Sequence, residues 1–231
     1  MVTLRRASDR GRTRLDWLDS RHTFSFGDYH DPRHMGFGPL RVINDDRVNP
    51  GRGFGTHAHR DMEILTWVLD GELQHRDSLG NGSVIRPGEV QIMSAGTGIQ
   101  HSEFNPSSTE PVRFLQIWII PERQGLPPRY EQQPVRFDDA PVATIAGRHA
   151  GAVRVFQDAT VRAVRLAAGR EATVDIPAGR VAWVQVARGG IRLGDIALAE
   201  GDGAAVGRES SIALTASSEA EALVFDLPQQ A

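Results

Sequence analysis

Residues 51–105 read GRGFGTHAHRDMEILTWVLDGELQHRDSLGNGSVIRPGEVQIMSAGTGIQHSEFN. His57 and His59 are alternate residues, and so are His101 and Glu103, with the two pairs about forty positions apart. Alternate residues share one face of a strand. If both runs are strands of one barrel, the four side chains converge on a single interior spot as metal ligands. The punctuation between them supports strands. Gly71 closes EILTWVLD, Gly88 precedes EVQIMS, and Gly96 and Gly98 form a turn ahead of IQHSEF. Short runs rich in Val, Ile and aromatic residues, divided by turn residues at close intervals, predict an all-β sandwich or barrel.

Imidazole nitrogens and a carboxylate oxygen suit Fe(II), Mn(II), Ni(II), Cu(II) or Zn(II), and three His with one Glu exceed the two-His-one-carboxylate set of non-haem iron oxygenases. An HxH pair alone is a short motif that chance supplies often. The second alternating pair, HSE at 101–103 behind a glycine turn, carries the metal reading. Glu63, close after His59, is a rival carboxylate, and spacing does not separate it from Glu103. The chain has no Cys, which excludes disulfides, thiolate ligands and cysteine nucleophiles.

At 231 residues with 40% hydrophobic content, the chain can bury the core of one large or two ordinary domains. A net charge of -3 with both signs interspersed leaves no basic stripe, so direct nucleic-acid binding is not expected. The start, MVTLRRASDRGRTRLDW, lacks the apolar run of a signal peptide, and no stretch reaches membrane-spanning length. A cytoplasmic protein with no membrane contact is expected.

Short helical pieces are expected near Arg129 to Gln133 and in the first turn of the chain. The Pro-rich segment PERQGLPPRYEQQPVRF at 121–137 reads as an interdomain linker. It divides the chain into an N-terminal metal-binding domain, 1–132, and a C-terminal domain, 133–231, lacking metal ligands. The second domain repeats the order of turns of the first, as a duplication would. Sliding Gly71 onto Gly189 places Asp175 and Pro177 where His57 and His59 stand. Aligning the PGE turn with the EGD turn at Gly201 puts an apolar stretch near Leu214 in the place of His101.

The strings WLDSRHTFSFGDYHDP (17–32), FGPLRVINDD (37–46), GFGTHAHRDMEILTWVLDGELQHRDSLGN (53–81) and QIMSAGTGIQHSEFNPSS (91–108) resemble the pirin family of bicupins, most closely its bacterial quercetinase-like members. The C-terminal half agrees in pattern more than in words. The resemblance implies two jelly-roll (cupin) barrels packed face to face. It also implies one divalent transition metal in the N-terminal barrel, with Fe(II) the first choice and Mn, Ni, Cu, Zn or Co compatible. In that family the ligands correspond to His57, His59, His101 and Glu103, which decides between the two carboxylates; Glu63 becomes a hydrogen-bonded strand residue near the site. The general cupin pattern has a Pro where Gly96 stands, but pirin-like proteins share AGxGIxHSE.

The activity implied is cleavage of a flavonol such as quercetin by O2, releasing carbon monoxide and a depside, with the metal as Lewis acid and Glu103 as catalytic base. The partners would be a small aromatic substrate and O2, and the chain a monomer. Two other readings stand beside it. One is a metal-dependent protein-interaction or co-regulator module, the other a cupin enzyme acting on another small molecule. Phe37, Phe54, Met62 and Met93 are candidates for shaping a cavity. His22, His30, His34 and His75 are expected at the surface or around the ligands.

Overall fold

The computed structural model describes residues 2–149, 151–207 and 209–229. Among the described residues the only helical turn is the 3-10 helix Ala7–Asp9. The first twelve strands are β1 (Val2–Arg5), β2 (Gly11–Arg14), β3 (Leu18–His22), β4 (Leu40–Val48), β5 (Gly53–His59), β6 (Glu63–Asp70), β7 (Leu73–Asp77), β8 (Gly82–Ile85), β9 (Glu89–Ser94), β10 (Ile99–Phe104), β11 (Val112–Ile119) and β12 (Arg129–Pro134). The chain forms two units: 11–135 with 153–157, and 1–10 with 136–152 and 158–231. The division expected at 132/133 falls within β12.

In the N-terminal unit a seven-stranded sheet runs β12-β9-β6-β11-β4-β3-β2 and a four-stranded sheet runs β5-β10-β7-β8. The strands of the large sheet that carry the core, such as β6 and β11, are buried on nearly every residue, whereas β10 alternates buried and accessible positions. That difference places β10 with one face inward and one outward. Leu18, Val48, Val68, Val112 and Phe114 of the large sheet pack with Leu73 and Ile85 of the small one. Each such side chain contributes roughly 1.5–3 kcal/mol when fully buried. A separate cluster of Ile64, Met93, Ala95 and Ile99 lies beneath Met62 and Trp118. Gly96 has to be glycine: its φ is +47°, and a Cβ there would collide with the Leu126 carbonyl oxygen.

The segment 121–137 is not wholly a linker, and 129–133 is not helical. Arg129 to Pro134 pair in register with Ser94 to Glu89 at the edge of the large sheet. Proline at the end of an edge strand interrupts no ladder, so the Pro content that suggested a linker is compatible with β12.

The C-terminal unit repeats the N-terminal topology. Glu171–Asp175, Ser211–Ala216, Gly190–Leu193 and Ile196–Ala199 lie side by side in that order, matching β5-β10-β7-β8. In the larger sheet β1, Gly203–Gly207, Arg180–Arg188, Ala220–Pro228, Thr160–Leu166 and Val142–Gly147 follow the order of β12-β9-β6-β11-β4-β3. The first strand of the chain thus occupies, in this unit, the place that β12 has in the other. The interior is apolar, built on Leu166, Val184, Val186, Leu214 and Val224 among others.

Leu214 faces inward as expected, but Asp175 and Pro177 do not stand in ligand positions. Both are exposed, Pro177 lies beyond the end of the strand Glu171–Asp175, and the inward residues of that strand are Ala172 and Val174, paired with Leu214 and Ile212. A slide wrong by one residue exchanges the faces of a strand. Asp175→Ala is therefore expected to leave the metal content of the reconstituted protein unchanged, measured by elemental analysis after removal of free metal. A lower content would place a ligand in the C-terminal unit.

Candidate metal centre

β5 lies at the edge of the small sheet and pairs antiparallel with β10, so that His101 stands opposite His57 and Ile99 opposite His59. Beyond His101 the register shifts, and Glu103 is opposite Phe54. Three residues of β5 are thus matched by two of β10, a bulge that turns Glu103 out of step with the two histidines of β5. The other side of β10 pairs with β7, which sets His75 opposite Glu103 and Asp77 opposite His101.

The outcome is two overlapping clusters. His57, His59 and His101 each bring a nitrogen to within 4.8 Å of the others, and two nitrogens of His75 and His101 and a carboxylate oxygen of Glu103 lie equally close. The Nε2 atoms of His57 and His101 are 3.0 Å apart. Adjacent ligands on a metal with bonds of ~2.1 Å stand ~3.0 Å apart, which is the spacing of this pair. Glu103 meets this set through His101 alone.

Hydrogen bonds fix which nitrogen His57 and His101 offer. The Gly55 carbonyl accepts from His57 Nδ1 at 2.8 Å, leaving the Nε2 lone pair free. His75 Nε2 donates to Asp77 Oδ2 at 3.1 Å, so His75 Nδ1 is an acceptor; it lies 3.4 Å from His101 Nδ1. The chain Asp77, His75, His101 holds His101 with its own Nε2 lone pair toward His57, the arrangement that orients and strengthens a metal-binding imidazole. Burial pushes His101 down to about 2, helped by the three neighbouring histidines, and His59 down to about 4, helped by His57. Burial also lowers His75, against the pull of Asp77. Both His59 and His101 are therefore neutral at pH 7, as ligation requires.

Glu103 is buried, and burial lifts its carboxyl to about 7 against the bonds it accepts. Gln116 Nε2 donates to both of its oxygens, at 3.1 and 2.9 Å. Glu63 lies elsewhere. Its carboxylate accepts from Ser94 Oγ at 3.0 Å and from the Phe156 backbone N–H at 3.1 Å. Ile64, the next residue of β6, lines the cavity with the histidines, so Glu63 occupies the other face of that strand.

The cavity measures about 220 Å³. Of the apolar candidates Phe54 lines it and Phe37, Met62 and Met93 do not; Phe26, Ile64 and Trp118 do. His30 is exposed, whereas His22 is buried and lines the cavity, and His75 backs His101. Sequence reasoning also missed Ser20, Asn44, Asp46 and Gln116 on the cavity wall. The signal was there: three successive polar residues, Asn44, Asp45 and Asp46, interrupt the apolar strand β4.

Asp46 is fully enclosed, and burial pushes it up to about 7, opposed by Ser20 and reinforced by Asp45 and Glu103. Its folded value exceeds its unfolded one. Its stabilising contribution is therefore complete below about pH 4 and lost as the pH rises through about 7. In metal-free protein, the melting temperature of Asp46→Asn relative to the parent should climb across that window, by an amount equivalent to at most about 4 kcal/mol. A difference that stays flat between pH 4 and pH 8 would refute the assignment.

Comparison with known proteins agrees with this architecture. A family model described as Pirin matches residues 3–119. A protein named quercetin 2,3-dioxygenase from Escherichia coli K12 is 47% identical over 231 residues, with 99% of each chain covered. The chain belongs to the pirin family. A second model, the quercetinase C-terminal cupin domain, matches residues 142–227, so the fold is an all-β bicupin. The crystal structure of the bacterial pirin YhhW from Escherichia coli in complex with nickel(II) has a TM-score of 0.94 at 46% identity, over 100% of each chain. A pirin-like protein of Caulobacter vibrioides is 38% identical over 215 residues, 91% of this chain and 92% of that one.

Proposed function

We propose that this chain is a metal-dependent dioxygenase that cleaves flavonols such as quercetin with O2. In this reading His57, His59, His101 and Glu103 hold one divalent transition metal, Fe(II) being the first choice among ions that favour nitrogen and oxygen donors. The observation that carries it is a single cavity shared by three imidazoles, a buried carboxyl and the rings of Phe26, Phe54 and Trp118. A flat aromatic hydroxyl compound and a metal would meet in that space. The relative named for this activity and the nickel(II) complex of YhhW add support.

When bound, the metal supplies Lewis acidity toward a coordinated hydroxyl and a path for electrons to O2. Glu103 takes the proton of the flavonol 3-hydroxyl on a carboxylate oxygen. Gln116 holds both oxygens in position for that transfer. Phe26, Phe54 and Trp118 bind the ring faces and keep water from the reacting carbons. Flavonol and O2 leave as depside and carbon monoxide, with every atom accounted for.

The test is anaerobic reconstitution with Fe(II), Mn(II), Co(II), Ni(II), Cu(II) or Zn(II), followed by quercetin and air, recording flavonol absorbance and carbon monoxide. Metal-dependent loss of the flavonol with carbon monoxide release is the expected result. Stoichiometrically loaded protein that is inert with every metal would end this reading and favour another small molecule or a protein-interaction role.

A further inference from the structure

The inner wall formed by the large sheet is polar where a barrel interior is ordinarily apolar. Thr13, Ser20, His22, Asn44, Asp46 and Gln116 are linked by strand register: Thr13 is opposite Ser20, Ser20 opposite Asp46, His22 opposite Asn44 and Asn44 opposite Gln116. All six line the cavity that holds His57, His59 and His101.

Part of this stripe is internally satisfied. Thr13 Oγ1 lies 2.8 Å from His22 Nε2, and His22 Nδ1 lies 2.8 Å from Asn44 Oδ1. The neighbouring atoms are not. Asp46 Oδ1, Gln116 Oε1 and Trp118 Nε1 are buried and have no hydrogen-bond partner among the described residues. Asp46 and Gln116 are themselves at most 7% exposed. Folded proteins rarely leave such atoms unpaired, and when they do the site commonly serves a ligand. Two oxygens and one N–H call for groups that both donate and accept, which is the property of a hydroxyl. Among the described residues lining the cavity there is no Arg or Lys, while Asp28, Asp46 and Glu103 are present. A phosphate or carboxylate group beside Asp46 would find no basic side chain to pair with.

We infer that Asp46, supported by Gln116, forms a hydroxyl-recognition subsite: the substrate is an aromatic compound carrying at least one phenolic hydroxyl besides the one that reacts, and Asp46 Oδ1 binds it. Asp46 thereby selects polyhydroxylated rings over those that bear the reacting hydroxyl alone. This rests on the reading of the cavity as the substrate site. The Phe26, Phe54 and Trp118 rings supply affinity for any flat ligand, and the stripe supplies the discrimination.

The experiment compares two ligands on Ni(II)-loaded protein under argon, followed by flavonol absorbance. One is quercetin, which has several phenolic hydroxyls; the other is 3-hydroxyflavone, which has only the reacting one. The parent should bind quercetin about tenfold more tightly, the worth of one or two well-made hydrogen bonds. Asp46→Ala should weaken quercetin by about tenfold and 3-hydroxyflavone by less than about twofold. Asp46→Asn keeps the shape and one oxygen and should fall between the two, which guards against a folding defect in the alanine variant. Equal losses for both ligands, or no loss for either, overturn the subsite. If the discrimination follows Asp46 but air yields no carbon monoxide with any of the six metals, the subsite stands and the dioxygenase reading falls. If neither ligand binds the parent, both fall.

Discussion

His101→Ala is expected to lose nearly all bound metal and all metal-dependent turnover while the protein stays folded. His101 is the one residue common to both clusters of candidate ligands, 3.0 Å from His57 and within reach of His75 and Glu103. Its ring is buried, neutral, and held in one orientation by the Asp77–His75 pair. Removing it takes a third of the imidazole set and separates Glu103 from the remaining two histidines. The apolar clusters that hold the sheets together do not include it. His75→Ala, which removes only the orienting partner, should cost about 10–100-fold in metal affinity. His101→Ala should cost more than His75→Ala. The measurements are metal content after dialysis against a weak chelator and circular dichroism for the fold. Full occupancy in folded His101→Ala would remove His101 from the ligand set.

The two strands that bring His57, His59 and His101 together were legible because a period of two is written directly in HAH and HSE, and because glycine turns bound the runs. The place of Glu103 was less so. The bulge after His101 exists only in the pairing of β10 with β5, and spacing in one strand carries no trace of an extra residue in its partner. For the same reason the slide that put Asp175 in a ligand place missed by one residue. The cavity wall was hidden more deeply. Ser20, Asn44, Asp46 and Gln116 come from three strands up to 96 positions apart, and only the order β11-β4-β3 makes them neighbours. Asn44, Asp45 and Asp46 are consecutive in sequence, yet the strand sends Asp45 to the face opposite Asn44 and Asp46. β1 could not have been placed from its sequence, since a four-residue edge strand takes its identity from the sheet that receives it.

Arg113→Ala is expected to destabilise the N-terminal unit by about 3–5 kcal/mol, the usual cost of removing one partner of a buried ion pair. Arg113 donates through Nε and Nη2 to the two oxygens of Asp45, both at 2.9 Å, and neither side chain is more than 7% exposed. Asp45 would be left buried without its fork. For a domain of this size the loss corresponds to a fall in melting temperature of about 6–20 °C. The pair also has a positional role. Asp45 sits between Asn44 and Asp46 on β4, and its bond to Arg113 on β11 fixes the register that turns those two neighbours, with Gln116, toward the cavity. A one-residue slip would send them outward. Asp45→Leu with Arg113→Met should regain most of the lost stability, because a well-packed apolar pair replaces a buried ionic one at little cost. If Arg113→Ala melts within about 2 °C of the parent, a shift of under 1 kcal/mol, the bond is dispensable and the register rests on packing alone.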